Sequence, residues 1–171
     1  MLYLLMLLTC VFASPLAAET IGNIEYHLPR LKQGWEIANE LQTNKKNQSR
    51  TVLYIPKNSP SRNGAVEFFG AHTNDLPIGG LDQTSLEKAL QPLFPDQQIH
   101  VTILESHPTS VLYEWTAKKE KTVAYGLSRA FSTDQGSAIL MYQTENASNF
   151  TSQHSSLIQT LKEAKLIPKP N

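Results

Sequence analysis

The sequence predicts an α+β fold in which helices flank a largely antiparallel sheet. Several short runs alternate apolar and polar residues, which is typical of half-buried strands. Two other segments repeat apolar residues at helical spacing, near the middle and at the end of the chain. The last four predicted strands follow one another with short turns, so we expect antiparallel neighbours with helices packed on the sheet.

The first half of the chain contains four predicted strands separated by polar segments. The strands cover residues 24–28, 35–41, 51–55 and 65–72. Residues 43–49 are polar enough for an exposed hairpin loop, and residues 57–64 have loop composition throughout. Pro56 ends the third strand.

A first helix is predicted by Thr84-Ser85-Leu86-Glu87. Thr84 at the N-cap and Glu87 three residues later can satisfy each other's exposed backbone donors. Pro92 and Pro95 limit the length of this helix, because proline cannot continue the helical hydrogen bonds. The residues that share its apolar face are Leu86, Ala89, Leu90 and Leu93.

Four further strands and a second helix account for the rest of the chain. The strands are predicted at residues 98–105, 110–118, 122–132 and 137–144. The helix is predicted over residues 152–166, with Asn149 or Thr151 as its N-cap. The apolar residues at helical spacing are Leu157, Ile158, Leu161 and Ala164.

Residues 1–18 have the pattern of a secretory leader. They contain no charged side chain and consist mainly of Leu, Met, Val, Phe and Ala. Ser14 and Pro15 break the apolar run, and a small residue, Ala18, precedes polar Glu19. This layout predicts a signal peptide that is cleaved between Ala18 and Glu19, leaving one domain over residues 19–171.

Two alternatives to cleavage stay open. The apolar run approaches the length of about 20 residues that crosses a bilayer, so it would also serve as a retained membrane anchor. Leu7-Leu8-Thr9-Cys10 resembles a bacterial lipoprotein box, which would give a lipid-modified Cys10.

Composition excludes several classes of function. Cys10 is the only cysteine, so a chain without its leader has no disulfide and no cysteine-based metal site or thiol catalysis. The 15 acidic and 15 basic residues balance, which argues against binding to nucleic acid or to an anionic membrane surface. No histidine pair has metal-ligand spacing, and we expect no metal and no cofactor.

Candidate catalytic residues are few. Glu105 and Glu114 fall on adjacent predicted strands and would face one another as a carboxylate pair, and His72 lies near Asp75. Ser128 lacks the surrounding glycines of a nucleophile elbow. These residues leave a small secreted hydrolase, using carboxylates or His72, as the alternative to a binding protein.

The strand at residues 122–132 has small residues on one face and large residues on the other. The small ones are Ala124, Gly126, Ser128 and Ala130. They indicate close packing of a neighbouring layer or, in the alternative, a shallow groove for a peptide or an apolar ligand. Aromatic residues of the late strands would form one layer and supply a ligand or partner surface: Tyr113, Trp115, Tyr125 and Tyr142.

Two short motifs carry a resemblance to a known family. Gly34-Trp35-Glu36-Ile37, followed by Val52-Leu53-Tyr54-Ile55-Pro56-Lys57, resembles the Mog1/PsbP-like α/β/α sandwich proteins and their bacterial secreted relatives. The resemblance covers residues 21–166 and departs after Pro56, where relatives often carry a helical segment and this chain has an extended pattern. It implies a bacterial, non-enzymatic adaptor or assembly factor that binds a protein partner.

The sequence thus predicts a secreted or periplasmic binding protein. We expect a protein partner to contact an exposed sheet face or the loops at residues 58–64 and 76–81.

Overall fold

Helices cover both faces of an antiparallel sheet in the computed structural model of the chain. The structure describes residues 19–21, 24–26, 34–43, 49–57, 67–134 and 136–167. The predicted leader at residues 1–18, most of the predicted loop at residues 43–49 and nearly all of that at residues 57–64 lie outside this part of the chain.

The strands are β1 Glu19–Ile21, β2 Ile24–Tyr26, β3 Trp35–Thr43, β4 Ser49–Pro56, β5 Glu67–Asn74, β6 Gln98–His107, β7 Ser110–Lys119, β8 Thr122–Thr133, β9 Gly136–Thr144 and β10 Lys165–Leu166. The helices are α1 Gln83–Leu90, which a short 3₁₀ turn at Gln91–Leu93 follows, and α2 Ala147–Glu163. The predicted strands agree with these bounds to within about two residues at most ends, as alternation allows.

The main sheet has seven strands in the order β3-β4-β5-β9-β8-β7-β6, and every neighbouring pair is antiparallel. A smaller sheet has the order β1-β2-β10. The predicted α+β class, with a largely antiparallel sheet and flanking helices, is confirmed. Strands β3 and β6 form the two edges of the main sheet.

Two hydrophobic cores lie on opposite faces of the main sheet because successive strand residues point to opposite sides. The core under α2 includes Leu157 and Leu161 of the helix and Leu127, Leu140 and Tyr142 of the sheet. The core under α1 is formed by Leu86, Leu90, Phe94, Val101, Val111, Tyr113 and Trp115, together with small residues of β7 and β8. The fold is therefore an α/β/α sandwich.

The small-residue face of β8 is filled by the indole ring of Trp115. Trp115 Nε1 donates a hydrogen bond to Ser128 Oγ at 3.0 Å, and its ring centroid lies 4.9 Å from that of Phe94. A Cβ atom at Gly126 would lie 2.1 Å from Trp115 Cε2. Close packing is thus the correct interpretation of this face, and the predicted shallow groove is not present there.

The N-cap of α1 is Asp82, so the prediction of Thr84 is wrong. Asp82 Oδ1 accepts a hydrogen bond from the Ser85 backbone N–H at 3.1 Å, and Oδ2 accepts one from the Ser85 hydroxyl at 2.7 Å. These two bonds place Thr84 inside the first turn. Glu87 is bonded elsewhere, since its Oε1 accepts from the Val101 backbone N–H at 3.1 Å.

Helix α2 begins earlier than predicted, at Asn146 as N-cap. Asn146 Oδ1 accepts hydrogen bonds from the backbone N–H groups of Ser148 and Asn149. The predicted caps Asn149 and Thr151 are wrong, because both lie within the helix and Asn149 Nδ2 donates to Glu67 Oε2 at 3.2 Å. The first turn of α2 is polar and has little apolar periodicity, which explains why the predicted helix begins too late in the chain.

No helix of the described segments has the length and apolarity to span a membrane.

Candidate functional site: an apolar groove beside helix α1

An apolar groove lies on the α1 face of the main sheet. Its floor is formed by β4, β5 and β9, and one wall is formed by the end of α1 and the following 3₁₀ turn. Its volume is about 470 Å³, within the range of roughly 300–1,000 Å³ that is common for ligand pockets. The apolar side chains along it include Leu53, Phe68, Leu93, Ile139 and Met141.

Strand alternation builds this groove. In β5, Phe68, Gly70 and His72 line the groove, whereas Phe69 points to the core under α2. Gly70 keeps the floor open. A Cβ atom there would meet Leu53 Cδ1 and a Phe68 ring carbon at 3.7 Å, which is ordinary van der Waals contact. A larger side chain at this position would therefore extend into the groove.

The groove has a polar region formed by Thr51 and His72. These residues stand opposite each other on β4 and β5, and Thr51 Oγ1 is hydrogen-bonded to His72 Nδ1 at 2.8 Å. Burial lowers the pKa of His72 from its ordinary value of 6.5, so its imidazole is neutral at pH 7. His72 Nε2 makes no hydrogen bond to any described residue.

The described residues of the groove do not form the constellation of a hydrolase. His72 is the only ionisable side chain that lines it among the described residues, and neither Asp75 nor a glutamate joins His72 there. Thr51 and His72 lie inside paired strands, where backbone N–H groups form the hydrogen bonds of the sheet. An oxyanion hole would need such N–H groups to point at a substrate instead. The cross-strand hydrogen bond between Thr51 and His72 accordingly stabilises the sheet.

Glu105 and Glu114 do not form the predicted carboxylate pair. Glu105 bonds to Lys162 of α2 at 2.8 Å and to His107 at 2.7 Å, and these hydrogen bonds lower its pKa to about 2. Glu114 Oε2 lies 2.9 Å from His154 Nε2, also on α2. Both carboxylates thus connect the sheet to α2, which is a structural role.

The four aromatic residues expected to form one surface lie in two separate layers. Tyr113 and Trp115 belong to the core under α1, and Tyr142 belongs to the core under α2, with Tyr125 packed against it. The exposed fractions of Tyr113, Trp115 and Tyr142 are 2%, 1% and 0%. Burial raises the pKa of Tyr113 to about 12. These three side chains are core residues, so they present no surface to a ligand or partner.

The loop at residues 76–81 is held to the sheet by hydrogen bonds. Ile78 N–H donates to Ser132 Oγ at 3.0 Å, and Ser137 Oγ donates to the Leu76 carbonyl at 2.6 Å. The side chain of Leu76 nevertheless remains 51% exposed.

Across the described residues, no group of three or more His, Cys, Asp or Glu side chains is placed to hold a metal ion.

Of the groove residues, the sequence indicated only His72 as a candidate functional residue, and it did so for a hydrolase. Leu93 was predicted on the buried face of the first helix, but it is 61% exposed at the groove wall. Gly70 was the one sequence feature that could have indicated the groove, because a glycine inside a strand often marks the close approach of another group.

Comparison with known proteins identifies the fold. No protein-family model and no curated protein sequence matches the chain. The solution structure of cyanobacterial PsbP (CyanoP) from Synechocystis sp. PCC 6803 matches with a TM-score of 0.51 and 10% identity, covering 94% of this chain and 98% of that one. LpqN, involved in cell envelope biogenesis of Mycobacterium tuberculosis, matches with a TM-score of 0.37 and 8% identity, covering 92% and 88%. The first of these likenesses shows that the chain has a PsbP-like fold.

Proposed function

We propose that this chain is a non-enzymatic binding protein that contacts a protein partner through the apolar groove beside α1. The observation that carries the proposal is the groove itself, with Leu93 61% exposed at its wall. A concave site whose lining is mostly apolar, with a small number of polar groups, is the usual form of a binding site. The absence of carboxylates among the described residues of the groove lining supports binding over hydrolysis.

The groove favours a partner segment that satisfies its own backbone. Its lining offers few polar groups, mainly Thr51 and His72, so an extended peptide would leave amide groups buried without hydrogen bonds. An amphipathic helix has no such cost, because its backbone hydrogen bonds are internal. We therefore expect the partner to present a helix or isolated apolar side chains.

A secreted or periplasmic location is the second part of the proposal. It rests on the leader pattern of residues 1–18, with cleavage between Ala18 and Glu19. Strand β1 starts at Glu19, so cleavage there would leave the described fold intact. N-terminal sequencing of the protein from its native cells tests this part, and a retained Met1 would contradict it.

Affinity capture with two matched glycine variants tests the binding proposal. Gly70→Leu places a side chain in the groove, whereas Gly79→Leu places the same side chain at a position where its Cβ atom meets nothing within 4 Å. The full-length wild type and both variants are used to capture proteins from the native envelope and secreted fractions, followed by mass spectrometry. We expect a partner that the wild type and Gly79→Leu retain and Gly70→Leu loses. Equal recovery by all three proteins, or no specific protein with the wild type, would overturn the proposal.

A further inference from the structure

The polar region of the groove has chemistry that a purely apolar partner would not use. Thr51 fixes His72 through Nδ1, and Nε2 has no partner among the described residues. Around this pair the lining is apolar, with Leu53, Gly70 and Ile139 among the neighbouring groove residues. Among the described residues, the groove therefore combines an apolar lining with one polar region.

We propose that the groove binds an unbranched alkyl carboxylate of the fatty acid type, with its chain along the apolar lining and its carboxylate hydrogen-bonded to His72. This site goes beyond the proposed function, because its ligand is a small molecule and its binding needs no protein partner. Where both hold, ligand and partner compete for the same groove.

The hydrogen-bonding roles of His72 favour an acceptor head group. A neutral imidazole carries one N–H. When the Thr51 hydroxyl donates to Nδ1, that N–H is at Nε2 and can be donated to a carboxylate oxygen. A protonated imidazole would bind the carboxylate more strongly still, as a charge-assisted pair. An ammonium head would need an acidic group, and no Asp or Glu of the described segments lines the groove.

The tail is best satisfied by an alkyl chain. A chain of methylenes has no polar atoms to leave unsatisfied, which suits a lining with only one polar region. Each methylene that is fully buried contributes about fourfold in affinity, so binding should strengthen along the series from octanoate to laurate. Met141, whose side chain is unbranched and flexible, can adjust to chains of different length.

Isothermal titration of the purified full-length protein with laurate, dodecanol and dodecylamine tests the site. We expect wild type and Gly79→Leu to bind laurate with equal affinity, and Gly70→Leu to lose binding because its side chain fills the groove. We expect His72→Leu to weaken laurate binding roughly tenfold or more, as for the loss of a hydrogen bond to a charged group, and to weaken dodecanol binding less, because a hydrogen bond to its neutral hydroxyl contributes less. Dodecylamine should bind more weakly than laurate.

Three results would overturn the ligand assignment. These are no laurate binding by the wild type, equal binding by wild type and Gly70→Leu, and an equal effect of His72→Leu on laurate and dodecanol. None of them bears on partner capture, which is compared between Gly70→Leu and Gly79→Leu without added ligand. If Gly70→Leu lost the partner but the wild type did not bind laurate, the fatty acid site would be rejected and the proposed function would be retained.

Discussion

Gly126 shows how one missing side chain determines the packing of a whole layer. The Trp115 indole occupies the space where a Cβ atom would be, and Trp115 is itself 1% exposed and held by Ser128. The ring has little room to move, because Phe94 packs against it from α1's side of the sheet.

We predict that Gly126→Ala lowers the free energy of unfolding by about 1–3 kcal/mol or more, because the added methyl group overpacks the Trp115 site. Gly79→Ala is the control, since a Cβ atom there meets nothing within 4 Å. Urea denaturation monitored by circular dichroism measures both. Equal midpoints for the two variants would show that the Trp115 layer can relax.

The pKa of His72 predicts a pH dependence of stability. Burial lowers the pKa in the folded state below the ordinary value of 6.5, so the unfolded chain takes up the proton first as pH falls. The contribution of His72 to stability is complete above about pH 6.5 and is lost as pH falls below it. His72→Gln should remove this component. Unfolding free energies of the two proteins over this pH range test the prediction, and parallel curves would contradict it.

Residue-scale features were only partly predictable because competing residues have similar propensities. Thr84 and Asp82 are both good N-cap residues, as are Asn146 and Asn149. Asp82 is selected by its two hydrogen bonds to Ser85, and Asn149 is excluded because its amide bonds to Glu67 across the fold. Such tertiary partners cannot be read from local sequence.

At the scale of elements, α1 protects an exposed edge of the sheet. Strand β6 pairs with β7 on one side, and the other side is the edge of the main sheet. Glu87 of α1 accepts a hydrogen bond from the Val101 N–H of β6 at 3.1 Å. This bond occupies a backbone donor that would otherwise be available to a strand from another molecule.

We predict that Glu87→Ala promotes self-association through β6. The matched control is Glu87→Gln, whose amide oxygen can still accept from Val101 N–H. Ile103 and Leu104 on the same strand are 38% and 41% exposed, which favours strand pairing once the edge is free. Sedimentation velocity at increasing concentration should show oligomers for Glu87→Ala alone. A monomer at all concentrations would mean that the edge is protected by other means.

The positions of the strands were predicted well, because a strand with one buried face alternates apolar and polar residues. The register between neighbouring strands was not predicted. Tyr113 pairs with Ser128 and so shares the small-residue face of β8, whereas Tyr125 pairs with Thr116 and faces α2. A shift of one residue in the register between β7 and β8 would put Tyr113 and Tyr125 on the same face of the sheet, whereas the observed register puts them on opposite faces. The error in the predicted aromatic surface follows from this.

At the scale of the whole molecule, the groove depends on pairings between distant parts of the chain. Its floor requires β5 to pair with β9, with α1 and three strands between them in sequence. Sequence patterns predict the faces of each strand but not which strands become neighbours. The PsbP-like fold was anticipated from short motifs, while the site, which depends on this pairing, was not.

The two cores share one sheet, so the molecule should unfold as a unit. Leu112 points to the core under α2 and its neighbour Tyr113 points to the core under α1, so losing the order of one face disrupts the strands of the other. The chain has two tryptophans, and Trp35 packs against the α2-side core while Trp115 belongs to the α1-side core. A Trp35→Phe background therefore leaves Trp115 as the single fluorescent reporter of the α1 side.

In that background, we predict that Leu161→Ala lowers the free energy of unfolding by about 2–5 kcal/mol, because the Leu161 side chain of α2 is fully buried in the core beneath that helix. Although Leu161 lies on the face opposite Trp115, the Trp115 fluorescence midpoint in urea should fall together with the circular dichroism midpoint. Leu104→Ala, at an exposed position, should shift neither by much. If Trp115 fluorescence kept its original midpoint while the dichroism changed, the two faces would be independent units, because the sheet between them would not transmit the loss of packing.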